Sequence, residues 1–185
     1  AVDRTNSFGN DVRSIDLAES GETKQYSLKD SETQKMLVSA GLRDADAVLI
    51  SHWVQQPWPL HYLDLSSNRI GERGKAALAQ GVVHDGCNLE TLSLDSREGK
   101  TITLQSQSGG SLGMTDHGLG LEDARLIASW VAMTARRDDC DNITTVDLCD
   151  NPSMLGPSAH LQSWKKVCKR MAEHGTVETL RLANV

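Results

Sequence analysis

Apolar side chains along this chain recur in one short phrase. Between Leu60 and Leu94, leucines at Leu60, Leu63 and Leu65 return 29 residues later at Leu89, Leu92 and Leu94. In an L-x-x-L-x-L segment the alternating leucines put one face of a short strand into a core, and a following Asn, here Asn68, satisfies backbone groups where the chain turns away. The same spacing recurs at Val12, Ile15 and Leu17, at Ile143, Val146 and Leu148 with Asn151 behind them, and at Val177, Leu180 and Leu182, so five strands are predicted. Between them, apolar residues at helical spacing predict helices over roughly Asp44–Gln56, Gly74–His84, Leu121–Arg136 and Pro157–Ala172. The segment Ala47–Leu60 aligns with Ala76–Leu89, Trp53 standing where Val82 stands.

Two connectors are too long for a plain strand-to-helix link. Both the stretch after Leu17 and the stretch after Leu94 run through a charged, Gly-containing turn into a short alternating segment, which predicts hairpin-like insertions over about 18–43 and 95–118. The first is expected to add a small helix around Ser31–Ala40, with Ser31 as N-cap and Gly41 as stop. The second passes through the Gly-rich run Gly109–Gly120. Their recurrence in alternate units points to duplication of a two-unit block.

The segment LHYLDLSSNRIGERGKAALA, from Leu60 to Ala79, resembles the leucine-rich repeats of the ribonuclease-inhibitor type, whose units of about 28 or 29 residues pair a strand with an α-helix. The match is specific over strand, turn and helix start. Elsewhere the strand half persists while the connectors depart, and Asn is missing after Leu17 and Leu94. The resemblance implies an α/β leucine-rich-repeat solenoid, a right-handed arc with parallel strands on its concave face and helices on its convex face. It implies one domain over residues 1–185, and a protein-binding scaffold or adaptor with no catalytic activity. An alternative from the same family is a regulator of a GTPase or other enzyme. Solenoids need polar caps, and a chain that opens without Met and stops at Val185 in mid-repeat is expected to be part of a longer chain or a subunit of a larger assembly.

Composition narrows the chemistry. Hydrophobic residues make up 38% and aromatic ones only 4%, so aliphatic side chains must build the core. No run approaches the ~18–20 apolar residues of a membrane span, and the start AVDRTNSFGN has no signal-peptide core. The net charge of −6 argues against nucleic-acid binding, which needs a basic face. Lys165, Lys166, Lys169 and Arg170 cluster on the last predicted helix and read as a solvated convex face. Cys87, Cys140, Cys149 and Cys168 form no C-x-x-C pair and no metal-ligand spacing, so they are expected to be reduced thiols of a cytoplasmic protein, with neither metal nor cofactor. The Gly-rich run lacks the lysine of a phosphate-binding loop. His117 beside Asp116 and His84 beside Asp85 lack a nucleophile at recognisable spacing, so no catalytic residue is assigned.

What stacked strands do supply is a surface. Residues between the leucines would align in columns about 4.8 Å apart. One column would hold Ser14, Tyr62, Thr91, Thr145 and Thr179; the next Asp16, Asp64, Ser93, Asp147 and Arg181; a third Ser66, Asp95 and Cys149. Stacked carboxylates either keep an exposed face soluble or await a protein partner with a basic surface. The expected partner-binding residues are therefore Asp16, Tyr62, Asp64, Asp95, Asp147 and Arg181, with Tyr62 as first anchor.

Overall fold

A turn built the same way four times organises the chain. In the computed structural model, Ser39, Ser67, Asp116 and Asp150 all adopt a left-handed backbone with φ between 53° and 58°. Each follows a strand: β3 (Gln34–Met36), β4 (Tyr62–Asp64), β7 (Ser111–Gly113) and β8 (Thr145–Asp147). A left-handed non-glycine residue costs about 1–2 kcal/mol, so something must hold these turns. Asn68 and Asn151, each one residue beyond a left-handed position, supply it. The Asn68 amide donates to Leu65 O and Ser66 O of its own turn and to Leu37 O of the preceding one, while its Oδ1 accepts from Leu42 N at 2.9 Å. Asn151 repeats the set: its amide donates to Leu148 O, Cys149 O and Met114 O, and its Oδ1 accepts from His117 N and Leu119 N.

The structure describes residues 13–19, 22–28, 31–107, 109–138, 140, 142–154, 160–173 and 176–183; for 13–19, 22–28, 160–164 and 173 it describes the backbone alone. The remaining elements are β1 (Arg13–Glu19), β2 (Glu22–Leu28), α1 (Asp44–Val54), α2 (Glu72–Val82), β5 (Thr91–Asp95), β6 (Thr101–Gln105), α3 (Leu121–Thr134), α4 (His160–Glu173) and β9 (Thr179–Arg181). The fold is α/β, and its described strands form no closed barrel. β3, β4 and β5 run parallel with β6 antiparallel at the edge, and β7, β8 and β9 form a second, parallel sheet. Leu63 lies in register with Leu92, and Leu112 with Val146 and then Leu180. One apolar core joins these strand residues to Ile50, Leu78, Ile127 and Trp130 of the helices, which pack in sequence order, α1 on α2, α2 on α3, α3 on α4. Among the described residues no helix is long and apolar enough to cross a membrane.

The helix layer is tight at α1–α2 because glycine faces it: a Cβ on Gly81 would stand 2.8 Å from Ser51 O. Helix starts are fixed by carboxylates three residues in. Asp46 accepts from Arg43 N at 2.8 Å and Asp123 from Gly120 N at 2.7 Å, the return half of a capping box. Asp123 also accepts from Arg97 N and from the Lys75 ammonium at 2.6 Å, an ion pair whose side chains are 1% and 5% exposed.

Several expectations need correction. The predicted first strand, from Val12 to Leu17, does not join the parallel stack: β1 pairs antiparallel with β2, Ile15 opposite Tyr26, in a separate two-stranded sheet, and Val12 lies outside the described residues. Its place beside β4 is taken by β3, within the span expected as a helix at Ser31–Ala40. A short apolar run does not distinguish strand from helix by periodicity. Here a ready partner edge and the Ser39 turn decide it. The insertion after Leu94 is the expected hairpin, β5–β6, but the Gly-rich run that follows is ordered, since Ser111–Gly113 is the first strand of the second sheet. The helices start and stop within about two residues of expectation where described.

Candidate interaction surface

Residues that alternate with the core leucines form the outer face of each sheet, exposed or half-buried apart from the buried Ser93. In the first sheet one row reads Gln34, Tyr62, Thr91 and Gln105, and the next Met36, Asp64, Ser93 and Thr103. In the second sheet they read Ser111, Thr145, Thr179 and Gly113, Asp147, Arg181. The expected column of stacked carboxylates is therefore not formed: Asp64 has Met36 and Ser93 for neighbours, and Asp147 belongs to the other sheet. Asp16 sits opposite Gln25 in the β1–β2 hairpin, and its side chain lies outside the described residues.

The carboxylates that are described have local partners. Asp64 Oδ1 accepts from Ser66 N at 2.9 Å and Asp147 Oδ1 from Cys149 N at 3.1 Å, so the same Asx-type bond closes both strand ends. Tyr62 Oη lies 3.4 Å from Asp64 Oδ2, which orients the half-buried ring along the face. Asp95 accepts from Thr101 Oγ1 at 3.2 Å across the hairpin mouth. Asp147 Oδ2 stands 3.7 Å from Arg181 Nη1, a cross-strand pair. The Cys149 thiol and N–H bonded to Asp147, with help from Thr115 and Arg181, hold its carboxyl below the usual range against the opposing effect of burial.

Sequence reasoning missed the most exposed apolar group on this face. Met36, in register beside Asp64, is 68% exposed, and Val38 behind it is 41% exposed. Reading Ser31–Ala40 as a helix hid both. The rest of the row is small and polar, with Ser93 Oγ 3.1 Å from Thr103 Oγ1. A flexible thioether and a rigid phenol, flanked by an acidic group, suit contact with another macromolecule more than chemistry.

Cys87, Cys149 and Cys168 are poor nucleophiles. Burial pushes the Cys87 and Cys168 thiols up. For Cys149 the bond from Ala183 N draws the thiol down, but Asp147, burial and Asp150 outweigh it and the net direction is up. A raised thiol pKa leaves little thiolate near neutrality. Among the described residues no group of three His, Cys, Asp or Glu side chains converges as a metal site would require. The chain matches no protein-family model and no curated protein.

Proposed function

We propose that this chain is a ribonuclease-inhibitor-type leucine-rich-repeat solenoid that works as a protein-binding scaffold, without catalysis of its own. The observation that carries the reading is the Asn68 and Asn151 pair. Each asparagine ties its own turn to the preceding one through the same set of bonds. Such nearest-neighbour coupling is how repeat arrays hold together. A stack of this kind lines up side chains from distant sequence positions into a rigid surface, and surfaces of that sort serve recognition.

The partner in this reading is another protein, docked on the strand side around Met36, Tyr62 and Asp64, with a basic rim facing Asp64, Asp95 and Asp147. Nucleic acid has no counterpart there, since the described groups on that face are apolar, neutral or acidic apart from Arg181. The test is cross-linking of the native protein with mass-spectrometric identification of linked sites, repeated with Met36→Asp and Tyr62→Ala. Loss of a buried aromatic anchor costs about 2 kcal/mol, roughly a 30-fold weaker complex. Leu49→Asp, on the exposed flank of α1, leaves recovery unchanged. Cross-links confined to the helices, or a partner insensitive to Met36 and Tyr62, would defeat the reading.

A further inference from the structure

The last strand is built like β5 but lacks the neighbour that β5 has. Leu89–Leu94 and Val177–Leu182 share Glu-Thr-Leu-x-Leu, and both strands bond the strand before them in the same way. Glu90 N and Thr91 N donate to His61 O while Leu65 N donates to Ser93 O at 2.8 Å; Glu178 N and Thr179 N donate to Thr144 O while Leu148 N donates to Arg181 O at 3.0 Å. Thr91 and Ser93, like Thr179 and Arg181, thus face the preceding strand, and the alternate residues turn their N–H and C=O to the opposite edge. On β5 that edge is filled: β6 runs antiparallel to it, Leu104 opposite Leu92 and Ile102 opposite Leu94, all four side chains fully buried. On β9 it is open. β9 ends its sheet, Leu182 is 39% exposed, and among the described residues none bonds the backbone of Leu180 or Leu182 from that side.

We propose that the open edge of β9 takes up an extended segment of another protein as an antiparallel strand, in the place that β6 fills on β5. Main-chain bonds to Leu180 and Leu182 supply affinity and alternate side chains supply specificity, as in other cases of strand addition. Two apolar side chains of the guest, spaced like Ile102 and Leu104, cover the two leucines. The guest residue between them faces Arg181 as Thr103 faces Ser93, which selects an acidic or hydroxyl side chain there. Arg181 is 64% exposed beside Asp147 and so remains accessible to a second carboxylate. The same residue disfavours a second copy of this chain as the guest. Two β9 strands paired antiparallel with their leucines matched set Arg181 against Arg181 of the second copy, and like charges directly opposite destabilise a sheet. This edge is separate from the face around Met36 and Tyr62, so the two readings stand or fall independently.

Fluorescence polarisation of the whole chain with a labelled peptide of residues 99–107, GKTITLQSQ, tests this, with the binding place mapped by amide hydrogen exchange. The peptide binds, and protection rises at Leu180 and Leu182 but not at Leu92 and Leu94. In the peptide, Thr103→Glu binds about fivefold tighter than Thr103→Lys, and Arg181→Ala in the chain reduces that ratio to less than about twofold. Ile102→Asp with Leu104→Asp in the peptide abolishes binding. Leu182→Pro in the chain removes a donor that the fold itself does not use and weakens binding at least about tenfold. Leu49→Asp, on α1, changes it less than about twofold. The proposal is overturned if the peptide does not bind, if protection rises on another strand instead, or if the preference for Glu over Lys survives Arg181→Ala. It is also overturned if sedimentation shows a dimer that Leu182→Pro dissociates, which assigns the edge to a second copy.

Discussion

The Lys75–Asp123 pair offers the sharpest test of how the helix layer is held. The two groups come from α2 and from the first turn of α3, 48 residues apart, and meet at 2.6 Å in the interior. Removing one member of such a pair costs about 3–5 kcal/mol because the other stays buried without its counter-charge. The two halves are not equivalent here. With Lys75→Met, Asp123 keeps bonds from Gly120 N at 2.7 Å and Arg97 N at 3.1 Å and still sits at a helix N-terminus, which favours a carboxylate. With Asp123→Asn, the ammonium loses the carboxylate it is paired with at a site that is 4% exposed, and the capping bond weakens too. Lys75→Met is therefore expected to cost about 2–3 kcal/mol and Asp123→Asn about 4–5 kcal/mol.

Urea unfolding followed by tryptophan emission measures both, with Trp130 buried in the same helix as Asp123. In a chain of this size 1 kcal/mol moves Tm by about 2–4 °C, so Asp123→Asn lowers it by roughly 8–20 °C. The double substitution Lys75→Met with Asp123→Asn is expected to cost less than the sum of the two, with a coupling of at least about 1 kcal/mol. A cost below about 1 kcal/mol for Asp123→Asn, or a larger cost for Lys75→Met than for Asp123→Asn, would refute the reasoning.

Asn151→Ala removes five bonds at a fully buried site and is expected to cost about 3–5 kcal/mol, against about 2–3 kcal/mol for the half-buried Asn68, both read by chemical unfolding. Amide exchange localises the damage: Asn151→Ala speeds exchange at Leu119, and Asn68→Ala at Leu42. Asp147 makes the acid limb informative. Its carboxyl is depressed in the folded state, so its stabilising contribution is present above the unfolded value and lost as pH falls through the lower folded one. A carboxyl-carbon NMR titration should place the Asp147 midpoint below 3.8, and Cys149→Ala should move it upward.

How much of this was legible follows from where the information sits. The registers of Leu63 with Leu92 and Val146 with Leu180 were readable because strand side chains alternate with period two and the leucines repeat at fixed spacing. Asn68 and Asn151 were readable for the same reason, each standing three residues past its strand's last leucine. β3 was not readable, since Gln34, Lys35 and Met36 carry no leucine and Ser31 with Gly41 imitates a helix cap and stop. The Lys75–Asp123 pair leaves no local trace, because neither residue's neighbours announce a partner 48 positions away.

The halves of the chain also share a phrase that only the fold brings out. Aligning the left-handed residues Ser39 and Asp116 sets Gly41-Leu42 on Gly118-Leu119, Asp46-Ala47 on Asp123-Ala124, and Leu49-Ile50-x-x-Trp53-Val54 on Leu126-Ile127-x-x-Trp130-Val131. Each copy is preceded by an antiparallel hairpin, β1–β2 or β5–β6, and followed by a parallel strand. The pairs play the same part: both tryptophans are buried, and both aspartates turn back to the helix N-cap. Leu49 and Leu126 are the exception. Leu126 is fully buried on α3, which packs against both α2 and α4, whereas Leu49 is 47% exposed on α1, whose main helix neighbour among the described residues is α2 alone. The same residue type in the same turn of two matching helices thus changes from surface to core according to what packs beside it. Burial in such a stack is a property of adjacent units, and the polarity of a single helix is not enough to assign its outer flank.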